Sequence, residues 1–120
     1  MPKTDVVLFA EDNGAVPLLE WLDRQPTKAQ DKCIVRIERL AELGHDLRRP
    51  EADYLRDGIY ELRVSRQGVN YRMLYFFIKK IAVLSHGLTK EGKVPDMEIE
   101  KAIKNRAKFE RDPDLHGHRE

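Results

Sequence analysis

At 120 residues, with a hydrophobic share of 41% and a charged share of 36%, the chain has the composition of a single folded domain, and no apolar run reaches membrane-helix length. The net charge of +1 is unevenly placed: residues 54–93 carry 8 Lys/Arg against 3 Asp/Glu, whereas residues 1–53 carry 8 against 11 and residues 94–120 carry 6 against 7. The lone Cys33 excludes an internal disulfide and Met1 to Ala10 lack the layout of a secretion signal, which together point to a cytoplasmic protein without membrane partners.

In chain order, "DVVLF" (Asp5 to Phe9) is short and β-branched and reads as a first strand, closed by the loop "EDNG". Pro17 sits at the first position of a short helix in "AVPLLEWLDRQ", with Val16, Leu19 and Leu22 at helical spacing. A second helix follows Pro26. Thr27 and Gln30 have the spacing of a capping box, Cys33, Ile34, Ile37, Leu40 and Ala41 form its apolar stripe, and Gly44 ends it. Cys33 on that stripe reads as a packing residue. The polar stretch His45 to Gly58 is expected to be an irregular connection.

Three strands come next. In "IYELRV", Tyr60, Leu62 and Val64 point one way and Glu61 and Arg63 the other. "SRQGV" makes a turn, and "NYRMLYFFI" is apolar on both faces, as a strand covered on both sides would be. Lys79-Lys80 is a tight connection to "IAVLSHG". Pairing Ile78 with Ile81 predicts that Arg72 faces Gly87 and Met73 faces His86. Pro95 then starts a last helix whose apolar positions are Ile99, Ala102, Ile103 and Ala107, acidic in its first turns and basic further along. The reading is an α+β fold: a small antiparallel meander with an N-terminal helical hairpin and a C-terminal helix packed on it. Residues 1–112 form the single domain and 113–120 a flexible tail.

Arg72 is the most informative residue. A guanidinium inside an apolar strand keeps its proton, so it needs an anion. That anion is either internal, or the side chain snorkels to the sheet edge, or it is aimed at a phosphate in a groove. Arg63 on the preceding strand and Lys90 in the following loop favour the last reading, provided that the turn register sets both arginines on one face. Lys93 lies in the same loop. His86 reads either as a satisfied structural histidine or as a general base, and Tyr71 and Tyr75 as packing residues that could also serve a groove. There is no Gly-rich phosphate loop, zinc-ligand spacing, nucleophile motif or paired inward carboxylates, so the sequence calls for neither metal nor cofactor. Cations with tyrosines can stabilise the charge that develops when a 2′-hydroxyl attacks its own phosphate.

The segments "YELRV", "NYRMLYFF", "LSHGLTKEGKVP" and "EIEKAIKNRAKF" resemble the RelE/ParE toxin superfamily, and most closely its phage-derived HigB-like branch, over roughly residues 5–110. The resemblance implies a RelE-like fold and a ribosome-dependent mRNA endonuclease, the toxin of a type II toxin–antitoxin pair. It also implies a helix-turn-helix, HigA-like antitoxin, and through it an indirect link to operator DNA. Carried over by position, Arg72 and Arg63 contact the scissile phosphate and Lys90 completes the catalytic set. Tyr75, His86 and Lys93 are possible assistants, and Arg66 and Tyr71 contact RNA. Glu61 and Glu91 stand where relatives often carry basic residues, which thins the cationic site. Two other readings stay open: a ParE-type gyrase-inhibiting toxin, or a weakened relative that only binds its antitoxin.

Overall fold

The computed structural model describes residues 4–119; residues 1–3, part of the stretch read for a leader, and Glu120, the end of the expected tail, lie outside the described residues. Strand β1 (Asp5–Phe9) leads into α1 (Pro17–Asp23) and α2 (Thr27–Leu43). Four strands follow, β2 (Ala52–Arg56), β3 (Ile59–Arg66), β4 (Val69–Ile78) and β5 (Ile81–Thr89). The long α3 (Asp96–Arg111), the single turn α4 (Pro113–His116) and the two-residue β6 (Gly117–His118) complete the chain. The six strands form one mixed sheet in the order β2-β3-β4-β5-β1-β6, antiparallel except for the parallel β1–β5 pair.

The helices sit on both faces of this sheet, so the fold is α+β as the pattern predicts. On one face α1 and α2 enclose Leu18, Trp21, Ala29, Cys33 and Leu40 against Leu62, Met73 and Tyr75. On the other, α3 contributes Ile99, Ala102 and Phe109 against Ile59, Leu74, Phe76 and Val83. Strand β4 is therefore covered twice, and Tyr71 through Phe76 are all buried. Burial pushes the Cys33 thiol up to about 11, in keeping with its role as packing.

Several local expectations are corrected. The connection after α2 is not irregular throughout. It contains β2, joined to β3 by Asp57 and Gly58, both at positive φ (51° and 81°), as a type I′ hairpin turn requires. The capping box does not form. Pro26 is the extended cap residue, so Thr27 is already helical and one position late, while Gln30 donates its side-chain N–H back to Gln25 O at 2.9 Å. The buried line of α2 runs Ala29, Cys33, Leu40. Ile34 lies about 100° round the helix from Cys33 and is 48% exposed. Within the expected tail, residues 113–118 form α4 and β6: β6 pairs with β1, and His116, 5% exposed, donates Nδ1–H to Ala10 O (2.7 Å) while stacking on Phe9.

The β4–β5 register also departs from the expected one. Ile78 does pair with Ile81, but Ser85 is an extra residue between the Tyr75–Leu84 and Leu74–His86 pairs. Everything beyond that bulge shifts by one, so Arg72 faces Leu88 and Met73 faces Gly87. The shift brings Gly87 under α1, where a Cβ would stand 2.2 Å from the Trp21 ring. The indole can lie on the strand only because residue 87 has no side chain. Gly87→Ala is expected to lower stability by about 1–3 kcal/mol through overpacking. Urea unfolding followed by Trp21 fluorescence measures it; an unchanged midpoint would show that α1 shifts freely.

Candidate nucleic-acid interface

The turn between β3 and β4 sets the site. Gln67 and Gly68 both take positive φ (50° and 79°), which closes a two-residue loop and pairs Arg66 with Val69. Counting back, Arg63 lies directly opposite Arg72. Residues facing each other across a ladder project to the same side of the sheet, so the two guanidiniums share the α3 face, near the end that α3 leaves open.

Arg72 is only 7% exposed, and its nearest counter-charge is Glu61, itself 4% exposed, with Oε1 at 3.5 Å from Nε. The internal ion pair is thus realised. It is a loose one: 3.5 Å is long for a charged hydrogen bond, and Glu61 Oε1 has no hydrogen-bond partner. Burial pushes the Glu61 carboxyl above its usual range, with Arg72 and then Arg63 opposing the shift.

Around this core lies a ring of charges for which the sequence carries no local signal. Arg36 of α2 donates to the Arg63 carbonyl and lies 3.6 Å from Glu51. Arg39 grips Glu51 with two bonds of 3.0 and 3.1 Å, and Arg49 holds Asp53 at 2.8 Å. Asp53 faces Glu61 across β2–β3. A cavity of about 360 Å³ opens among Arg36, Glu51, Arg63, Asn70, Tyr71 and Arg72. Three arginines, Arg36, Arg63 and Arg72, border this groove beside one carboxylate, Glu51.

The other expected residues divide. Lys90 is exposed, and its N–H bonds Asn70 O at 3.3 Å, which sets the β5–α3 loop beside the groove at a second hollow shared by Asn70, Lys90 and Glu91. Lys93 is exposed further along that loop, and Arg66 sits at the hairpin end on Gln67 Oε1. Tyr71 and Tyr75 fall on the opposite face from Arg72. Tyr71 packs edge-on against Trp21, though it also borders the cavity. Tyr75 is 1% exposed against Tyr60 and Phe77, and burial raises its phenol above its ordinary range. Tyr75 therefore does not reach the arginines, because residues 72 and 75 differ by an odd number along one strand.

His86 is fully occupied. The bulge turns Ser85 and His86 to the α3 side together, and Ser85 Oγ lies 2.7 Å from Nδ1 while Nε2 lies 2.9 Å from Glu98 Oε1. Asn105 donates to the same Ser85 oxygen at 2.9 Å. A neutral ring completes this chain: the Ser85 hydroxyl donates to Nδ1 and Nε2–H donates to Glu98. Burial pushes the His86 pKa down, helped by Lys101 and opposed by Glu98. Ser85 is 0% exposed, so the serine–histidine–glutamate sequence of contacts ties β5 to α3 and offers no nucleophile to a substrate.

Among the described residues no group of three or more His, Cys, Asp or Glu could hold a metal ion, and no helix is long and apolar enough to cross a membrane. A family model described as Phage derived protein Gp49-like (DUF891) matches residues 20–107. No curated protein matches the chain.

Because the folded state holds His86 neutral below its ordinary pKa, the unfolded chain binds the extra proton first. Stability contributed by the neutral ring is complete above about pH 6.5 and is lost as pH falls toward the lower folded-state value, by at most about 1.4 kcal/mol per pH unit. His86→Gln should be less stable at neutral pH and lack this slope. Glu61, raised by burial, works in the other direction, so the difference between wild type and variant isolates His86. Urea midpoints from pH 7.5 to 5 are the measurement; identical slopes would remove the neutral-ring assignment.

Proposed function

This chain belongs to the phage-derived Gp49-like family, and from that premise we propose that it is the toxin of a type II toxin–antitoxin pair, a ribosome-dependent mRNA endonuclease acting in the cytoplasm. The observation that supports this reading most is the register that places Arg63 opposite Arg72 at the open end of the sheet. A phosphate bridging the two guanidiniums relieves their mutual repulsion and accepts charge-assisted bonds from both.

The reaction is metal-independent transesterification. The 2′-oxygen attacks the adjacent phosphorus and loses its proton, the bond to the 5′-oxygen breaks, and that oxygen takes up a proton. The products are a 2′,3′-cyclic phosphate and a 5′-hydroxyl. Arg63 and Arg72 stabilise the added charge on the non-bridging oxygens, and Lys90 approaches from its loop. No strong base stands free in the groove, so the ribosome supplies the alignment of the 2′-hydroxyl with the leaving oxygen. A helix-turn-helix antitoxin is the partner that would silence the protein.

Glu61 favours a second reading, that of a weakened relative that mainly binds its antitoxin. It supplies Arg72 with an internal anion 3.5 Å away, which a phosphate must displace or share. The two readings diverge in one experiment. Expressed alone, the wild type should arrest growth and create new ends within translated messages, with DNA supercoiling unchanged. Arg72→Ala should lose roughly 10²–10³ of the cleavage, as when one donor to a developing oxyanion is removed. Glu61→Gln keeps an acceptor for the guanidinium but drops the charge. It should bind single-stranded RNA more tightly, with the salt slope steeper by about 0.7, one further phosphate contact's worth. Wild-type expression that is harmless and leaves transcripts intact would sink the nuclease and leave the antitoxin-binding reading; altered supercoiling would point to gyrase.

A further inference from the structure

A second cavity, of about 470 Å³, opens at the β2 edge of the sheet and has no part in the phosphate site. Its wall carries the rings of Tyr54, Tyr60 and His45, the cations Arg48 and Arg49, and one carboxylate, Asp53. The rings form a continuous pile running outward from the core. His45 stacks on Phe77 at 3.6 Å, Phe77 meets Tyr60 edge-on at 5.4 Å, and Tyr60 meets Tyr54 edge-on at 5.0 Å.

Tyr54 ends this pile and is 53% exposed. It is also held still, because its hydroxyl accepts the Gly58 N–H at 3.0 Å within the hairpin turn. The two arginines differ. Arg49 is committed to Asp53, while Arg48 is exposed and makes no side-chain ion pair among the described residues. A rigid exposed ring beside an uncommitted cation is the combination that recognises one base with its phosphate. The volume falls within the usual range of a small-ligand pocket.

The location links the two sites. Pro50 and Glu51 line the arginine groove, whereas Arg48, Arg49, Ala52 and Asp53 line this pocket, so one short segment of chain separates them. Tyr54 and Tyr60 lie on the α1/α2 face and Arg63 and Arg72 on the α3 face, so an RNA that joins the two sites passes round the β2 edge, about 10 Å from β4.

We propose that the β2-edge pocket binds one unstacked base of the same single-stranded RNA whose phosphate lies between Arg63 and Arg72. The base lies against Tyr54, and its phosphate against Arg48. The proposal rests on the RNA reading above, and it adds a base-binding subsite to a site that otherwise contacts only backbone.

The test is binding of a short single-stranded 2′-O-methyl RNA, which has no free 2′-hydroxyl and cannot be cut, to the purified full chain by fluorescence anisotropy. Tyr54→Ala should weaken binding by roughly tenfold, the scale of one base–aromatic stack, and Tyr54→Phe, which keeps the ring but loses its bond to Gly58, should weaken it far less. Arg48→Ala should weaken binding and flatten the salt slope by about 0.7. A probe with an abasic position at the stacked nucleotide should bind wild type and Tyr54→Ala alike. If Tyr54→Ala and Arg48→Ala both bind like wild type, or if wild type binds no RNA, the pocket is not a base site. A Tyr54→Ala change in oligomeric state with RNA binding unchanged would make the edge a protein-pairing strand and overturn the proposal too. Tyr54-dependent binding without new transcript ends in cells would uphold the pocket and reject the nuclease. Cleavage that is insensitive to Tyr54→Ala and Arg48→Ala would do the reverse.

Discussion

Two arginines set directly opposite each other on neighbouring strands are the unfavourable pairing around which this molecule is arranged. Like charges directly opposite one another destabilise a sheet, and the nearby Glu61 relieves Arg63 and Arg72 only in part. The register is nevertheless fixed, because slipping β4 by one residue would turn its whole apolar set to the wrong faces. Met73 and Tyr75 belong to the core under α1 and α2, while Leu74 and Phe76 belong to the core under α3. The cost of losing both cores far exceeds the cost of one repelling pair. The sheet therefore imposes a charge concentration that only an anion can satisfy.

Glu61 meets that demand in part. Its position in the ladder, opposite Leu74 and diagonal to Arg72, brings a carboxylate near one guanidinium without giving it a well-formed bond. One oxygen is left buried and unpartnered, and the carboxyl is pushed toward protonation. A buried pair of this quality adds little net stability, since the desolvation of both ions offsets most of their attraction. Its consequence is electrostatic. It lowers the field that Arg72 projects into the groove and leaves Arg63, half-buried and in no close ion pair among the described residues, as the more available of the two.

Most of this architecture is legible in the residues, and the exceptions have physical causes. Alternation in "IYELRV" and double-sided apolarity in "NYRMLYFFI" identify β3 and β4, and the parity of positions 71, 72 and 75 already separates the tyrosines from the arginine. Asp57-Gly58 is a strong hairpin signal, and taken with "ADYLR" it would have revealed β2; the surrounding polarity obscures it because an edge strand need not be apolar. The bulge at Ser85 has no such signal. It follows from α3, whose Asn105 and Glu98 draw both Ser85 and His86 to one side. The contacts of Arg36 and Arg39 with Glu51 and Arg63 join residues 12 to 27 apart in sequence, so helix periodicity does not place them.

The same reasoning explains why a nearly neutral protein can carry a strongly directional surface. Arg39 and Arg49 are neutralised locally by Glu51 and Asp53, which lowers both carboxyls and ties the β2 segment to the sheet and to α2. Charges committed in this way shape the walls of a groove but attract little from solution, because a close opposite charge cancels their field beyond a Debye length. Arg48 before β2 and Lys90 and Lys93 in the loop after β5 are exposed, and Arg63 is half-buried at the groove. Arg48 shares its pocket with the exposed Tyr54 ring, Arg63 borders the groove with Arg72, and Lys90 lines a hollow with Asn70, a residue the groove also uses. A chain that carries one phosphate per unit and presents flat bases offers a partner to the cations and to the ring alike. A compact anion would engage the cations alone.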